Sequence, residues 1–249
     1  ISAQRTFSVV QSTSGLPFFS AFADITSLIK TTGNGDYTLS ELDLTNVINF
    51  YCFNGTNFGG WAIVLIYKND NLPLNQLNVY DGLQYVPNQI QITLNNLNVI
   101  DNEDAKIGFV AWEGDQFISV NETLSVNGNP ISNPPLNPVN NAFNGTNSFT
   151  GSSTLYNMDL DVYNINNNIK IGDTSAEIQL SSGQDFVMIN TIVTKLNSQL
   201  PDATLAINEV DLTCNSKDIK IDYTVFNSNS TSTPVLTCQK DVGALSISG

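Results

Sequence analysis

The run Trp61-Ala62-Ile63-Val64-Leu65-Ile66-Tyr67 constrains this chain more than any other feature. Branched and ring side chains follow one another without a polar break, between Gly59-Gly60 on one side and Asn69-Asp70-Asn71 on the other. That is the pattern of a strand buried on both faces, so the run is expected at the centre of a large β-fold, closed by the turn Val79-Tyr80-Asp81-Gly82-Leu83. Gln89-Ile90-Gln91-Ile92-Thr93-Leu94 alternates instead, as a strand of an antiparallel sheet does when one face is wet. Further strands are expected over 5–10, 37–44, 47–53, 77–86, 89–97, 106–112, 155–165, 176–180, 187–196, 204–212 and 218–226. One helix is expected over 18–30, where Phe18, Phe22, Ile25, Leu28 and Ile29 fall at helical spacing and Gly33-Asn34-Gly35 stops it. No fixed repeat period appears, so the expected class is all-β: an antiparallel, jelly-roll-like β-sandwich with one short helix near its start.

The segment 128–147 carries four prolines and many asparagines, too irregular for a strand and too long for a hairpin turn, and should be a long excursion between sheets. A boundary is expected near Leu200-Pro201-Asp202, dividing a module over 1–202 from a tail over 203–249. A complete immunoglobulin-like sandwich needs about 100 residues. The tail is therefore a packed extension or the opening of a second, partial Ig-like module.

With 9 basic against 23 acidic residues and a formal charge of -14, the surface repels phosphate backbones and anionic headgroups, which excludes nucleic acid and lipid surfaces as expected partners. Asparagine outnumbers the charged residues together, which suits turns and an extracellular setting. No apolar run approaches the roughly 20 residues of a membrane span, and no basic-then-apolar leader opens the sequence. Direct membrane insertion is not expected, and any targeting signal would lie outside this piece. Cys52, Cys214 and Cys238 lack close pairing and no histidine is present, which excludes a zinc site. In an oxidising compartment Cys214 and Cys238 could close a short loop, stabilising the fold by about 3 kcal/mol; the alternative is three buried thiols.

Several phrases occur in a recognisable order over 5–200: Ala21-Phe22-Ala23-Asp24-Ile25-Thr26, Gly33-Asn34-Gly35-Asp36-Tyr37, Gly60 to Tyr67, Tyr80-Asp81-Gly82, Ile107 to Asp115, Phe143-Asn144-Gly145-Thr146 and Asn157-Met158-Asp159-Leu160-Asp161-Val162. In these the chain resembles the large β-sandwich module of secreted surface proteins and gliding adhesins of Bacteroidota exported by the type IX secretion system. The stretch 209–229 is similar to the start of an adhesion-type β-module that follows it, and the similarity ends after Thr233. The resemblance implies export, cell-surface display and a place in a long modular protein; it implies little about chemistry.

Asp159 and Asp161 lie two apart on an expected strand and so share a face; Glu113 and Asp115 repeat the spacing at the end of another. Clustered carboxylates repel, and with so few lysines a hard cation such as Ca²⁺ is their natural counter-charge. The alternative is that they cap turns. Asp101-Asn102-Glu103-Asp104 is a rival calcium loop, or a solvated turn. Paired carboxylates also serve glycosidases, but nothing selects a catalytic pair, and the absence of histidine excludes Ser-His-Asp and Cys-His mechanisms. Trp61, Trp112, Tyr67, Tyr80 and Tyr85 could form a sugar-stacking platform or simply pack the core. Sequons begin at Asn54, Asn121, Asn144 and Asn229, close to chance for so much asparagine, and Lys106 could enter a Lys-Asn isopeptide crosslink or act as an edge-strand lysine.

The expected function is thus a non-enzymatic cell-surface module acting in adhesion and extended display. Its partners would be surface glycans, other surface proteins or further copies of itself. The alternatives are a calcium-assisted carbohydrate-binding module and a filament subunit that lends its C-terminal strand to the next copy.

Overall fold

The computed structural model describes residues 1–86 and 88–198, together with the backbone of 203–211 and 220–227. Contacts divide the chain into two units, Ile1–Ser198 and Gln199–Gly249.

The regular structure of the first unit is almost wholly antiparallel strand, joined by long irregular stretches. Arg5–Val10 (β1) and Pro17–Phe22 (β2) form a hairpin, followed by two short helices, Thr26–Thr32 (α1) and Ile48–Cys52 (α2). Then come Asn75–Tyr85 (β3), Gln89–Asn95 (β4), Asp101–Trp112 (β5), Thr123–Val126 (β6), Asn129–Pro130 (β7), Met158–Asn164 (β8), Ser175–Ser181 (β9) and Met188–Asn197 (β10). They make two four-stranded sheets, in the orders β3-β10-β5-β8 and β4-β9-β6-β7. One buried cluster takes side chains from both: Ile107, Phe109 and Ala111 of β5, Tyr163 of β8 and Ile189 and Leu196 of β10, with Leu94 of β4, Leu124 and Val126 of β6 and Ile178 and Leu180 of β9. In the second unit Ala203–Asp211 (β11) pairs antiparallel with Lys220–Asn227 (β12). Cys214 and Cys238 lie outside the described residues, so the expected disulfide falls there too; Cys52 is an exposed free thiol.

The N-terminal third corrects several expectations. Residues 61–67 form no strand, and Trp61 is 48% and Leu65 60% exposed. The central positions fall instead to β5 and β10, where Phe109, Val110 and Ala111, and Met188 and Ile189, are buried in succession. Each of those strands is paired along both edges, and this, more than an apolar run, allows burial on both faces. The expected helix over 18–30 splits. Pro17–Phe22 pairs with β1, and the helix starts only at Thr26, whose N–H donates to Asp24 Oδ1 at 2.8 Å. Gly33, in the left-handed region at φ 69°, ends it just past Thr32. Residues 37–44 form no strand, and 47–53 hold α2, entered through an Asx turn in which Asp43 Oδ1 accepts the Thr45 N–H.

This burial map predicts unequal responses to truncation. Leu180→Ala, at a fully buried position, should cost about 2–5 kcal/mol in urea unfolding, whereas Leu65→Ala should stay within about 0.5 kcal/mol. A large loss from Leu65→Ala would return the 61–67 run to the interior.

Candidate metal centre

Strand β8 has inverted polarity. Its buried face carries Asp159, Asp161 and Tyr163, while Leu160 and Val162 are only half-buried. The inward rows of other strands run on in the same way into acids. Ile107, Phe109 and Ala111 lead to Glu113; Val126 and Leu124, followed backwards, lead to Glu122; Ile189 and Val187 lead back to Asp185. Pairing gathers three of these at one end of the sheet, because Trp112 is the register partner of both Met158 and Met188. All five acids are buried, Glu122, Asp159 and Asp161 completely.

Glu113, Asp115 and Asp185 can place one oxygen each within 4.8 Å of one another, with Asp115 the exposed member. Glu113 sits in the left-handed region at φ 71°, a conformation costing a residue with a side chain about 1–2 kcal/mol. Gly114 permits the close packing beside it. A Cβ there would lie 2.5 Å from both Asp159 Oδ2 and the Phe143 carbonyl oxygen, so Asp159 Oδ2 abuts the backbone between Glu113 and Asp115. Asp159 Oδ1 accepts three backbone N–H bonds, from Asn144 at 2.8 Å, Gly145 at 2.9 Å and Thr146 at 3.0 Å. Asp161 Oδ2 accepts from the Thr146 hydroxyl at 2.8 Å and the Asn137 amide at 2.9 Å. Glu122 Oε1 accepts the Phe143 N–H, and Asp185 accepts the N–H groups of Asp115 and Phe186 on its two oxygens. Glu122 Oε2, Asp159 Oδ2 and Asp161 Oδ1 remain buried with no hydrogen-bond partner.

Among the described residues no lysine or arginine pairs with these acids. The ion pairs among the described residues are Arg5–Asp81, Lys68–Asp70, Lys106–Asp104 and Lys195–Asp104, and none involves the cluster. Burial, with the Asp185 and Asp115 charges beside it, pushes Glu113 up to about 9. Burial likewise takes Glu122 to about 9 and Asp185 to about 6. It holds Asp159 well above the usual carboxylate range against the pull of its three N–H donors, and raises Asp161 and Tyr163 as well. A divalent cation would remove that penalty. Calcium–oxygen distances of about 2.3–2.6 Å place oxygens on one ion up to about 5 Å apart, which the Glu113, Asp115 and Asp185 oxygens satisfy.

Of the four expected ligands, Glu113 and Asp115 come together, Asp159 borders them, and Asp161 is turned toward Asn137 and Thr146. Asp185, Glu122 and Asn137 did not stand out in the sequence, and Thr146 did so only within the phrase Phe143-Asn144-Gly145-Thr146, not as a partner of the acids. The signal was there in the parity of each buried row, which continues past the strand end onto an acid. The rival loop 101–104 is corrected: Asp104 pairs with Lys106 and Lys195, and the two Asp101 oxygens accept from Glu103 and Asn197. Lys106 is half exposed and paired with Asp104, and it lies on β5, a strand bonded along both edges, which corrects its reading as an edge-strand lysine. The five aromatic residues do not form one platform: Trp112 stacks on Phe58, the Tyr80 hydroxyl donates to the Asn95 carbonyl, Tyr85 meets Phe186, and Trp61 and Tyr67 stand in the unpaired run. Asn144 is buried, with its amide donating to the Leu136 carbonyl, so this sequon is closed to glycosylation; Asn229 lies outside the described residues.

Comparison of the chain with protein-family models, curated proteins and solved structures gives no match. No helix among the described residues is long and apolar enough to cross a membrane.

Two predictions follow from the geometry. Acids with raised folded-state values bind protons more tightly folded than unfolded, so their presence costs stability as pH rises from the ordinary range near 4.5 to about 9. In chelator, the unfolding temperature should fall steadily from pH 5 to pH 9; a flat profile would show the acids are not buried as described. Separately, Gly114→Ala must displace the Phe143 carbonyl and Asp159, and should cost about 1–3 kcal/mol in denaturant unfolding.

Proposed function

We propose that this chain is a non-enzymatic β-sandwich module of a secreted bacterial surface protein, locked by a Ca²⁺ ion and acting in adhesion and extended display. The observation that carries the proposal is the Glu113–Asp115–Asp185 set, flanked by the unpartnered buried oxygens of Asp159 and Glu122 with no cationic side chain among them. Oxygen-only donors favour a hard cation, and six to eight loosely arranged ligands suit Ca²⁺ better than the tight octahedron of Mg²⁺. The two four-stranded sheets sharing one buried cluster support face-to-face sandwich packing. The acidic surface and the resemblance to Bacteroidota surface modules support secretion and a cell-surface location. The β11–β12 hairpin would open a further, Ig-like module.

In this role the ion acts as a rivet. It would tie the end of β5, the start of β8 and the segment before β10 into one rigid body able to transmit load. In this reading the raised acids are those whose carboxylate form a bound ion would stabilise, and they hold the ion rather than transfer protons.

Thermal unfolding with calcium and with chelator tests this. At about 100 times the dissociation constant, an ion bound only by the folded state adds about 2.7 kcal/mol, or roughly 5–10 °C for a module of this size. Asp185→Asn should remove most of that rise, while Asp159→Asn combined with Asp161→Asn should lower the unfolding temperature more in calcium than in chelator. Equal curves with and without calcium for the native chain would defeat the proposal.

A further inference from the structure

A sheet edge is a row of unpaired backbone N–H and C=O groups, and three of the four edges of the two four-stranded sheets are occupied or guarded. Along β8 an irregular segment closes the outer side. The Leu160 N–H donates to the Thr146 carbonyl at 2.9 Å, the Ser148 N–H to the Leu160 carbonyl at 3.2 Å, and the Val162 N–H to Ser148 Oγ at 2.7 Å. β7 is two residues long and ends in Pro130. β3 carries Asp81 within the strand, paired with Arg5 of β1 at 2.9 Å.

β4 has none of these devices. It pairs with β9 in unbroken register from Gln89 opposite Ser181 to Asn95 opposite Ser175, and among the described residues no N–H of 89–95 bonds on the other side. The strand contains no charged side chain and no proline. At one end the Tyr80 hydroxyl donates to the Asn95 carbonyl at 2.6 Å, and Gln76 Nε2 and Asn78 Nδ2 donate to the Asn96 carbonyl at 2.9 and 3.3 Å. These close that end and leave 89–94 open. Gln89, Gln91 and Thr93 are exposed, whereas Ile90 and Ile92 pack against the core and yet stay only half-buried beside the open edge.

An added strand must offer backbone groups, an apolar inner face, a polar outer face and no negative charge, because the chain carries a formal charge of -14. The unpaired run 61–67 is apolar on both faces and would set one of them in water beside Gln91 and Thr93. β4 itself meets every condition. With a two-fold axis through Gln91, perpendicular to the sheet, Ile90 of each copy faces Ile92 of the other on the inner side, and Gln89 faces Thr93 on the outer. We propose that β4 pairs antiparallel with β4 of a second copy, joining two β4-β9-β6-β7 sheets into one. A single strand pair of this length buries less than the roughly 1,200 Å² of a stable complex, so the dimer is weak and depends on concentration. It does not require the cation.

Sedimentation of the full chain from micromolar to near-millimolar concentration tests the pairing. The mass should climb from 27.1 kDa toward twice that value, and amide exchange over 89–94 should slow as it does. Gln91→Lys and Gln91→Glu, at an exposed position, should each weaken the dimer about fivefold and leave the unfolding temperature unchanged. Mixing the two variants should restore association, because opposite charges then meet on the axis. A mass of 27.1 kDa at every concentration would overturn the proposal. So would a dimer indifferent to both substitutions, which would direct attention to the exposed run 61–67, and so would a mass rising past the dimer, which a closed two-fold pairing forbids.

Discussion

Asp159 holds the interior of this module together from both of its oxygens. One gathers the N–H groups of Asn144, Gly145 and Thr146, fixing the irregular segment over the open side of β8; the other rests against Gly114, at the turn where β5 gives way to Glu113 and Asp115. A hydrophobic residue in its place would leave three backbone donors without partners, and each buried orphan costs about 1–3 kcal/mol. The long segment after β7 is therefore no surface loop. It buries Asn137, Ala142 and Phe143 and supplies the polar lining that the inverted strand requires. The crowding of buried carboxyls is the cost of this arrangement; retained protons relieve it, and in the cation proposal a bound ion does so in their place.

Much of the β architecture could be read from the sequence, because two-residue alternation is a direct imprint of the pleat. The strands around Leu77, Ile92, Ile107, Ile178 and Val193 lie where alternation or dense branching places them. The failures share a cause. For 61–67 the apolar run said that burial would be favourable but not that a strand edge would be free to receive it, and pairing partners are a tertiary fact. Phe18 and Phe22 fit a helix by spacing, yet they sit in a strand because β1 lies antiparallel to them.

The candidate site was half visible for a different reason. Spacing put Asp159 beside Asp161 and Glu113 beside Asp115, but spacing alone cannot say which face of a strand is inside. Placing carboxylates inward breaks the rule that polar residues face water, and a residue-by-residue reading defaults to that rule. Asp185 is reached through a turn, and only pairing across the sheet brings it to the others. Elsewhere the electrostatics follow the ordinary pattern. Asp104, held below its usual range by Lys195 and Lys106, shows what the few basic residues do when they are near an acid.

Gly114 and the Gln11–Thr13 turn stand at opposite ends of a scale of evolvability. At Gly114 even a methyl group meets backbone on one side and a carboxylate on the other, so mutational drift there is closed whatever the module comes to bind. The turn is largely exposed, and its hydrogen bonds are a donation from the Ser12 N–H to Tyr85 Oη and local ones within residues 11–16. A lineage built on this scaffold can therefore rewrite the turn freely, while the packing of Asp159 against Gly114 is inherited unchanged.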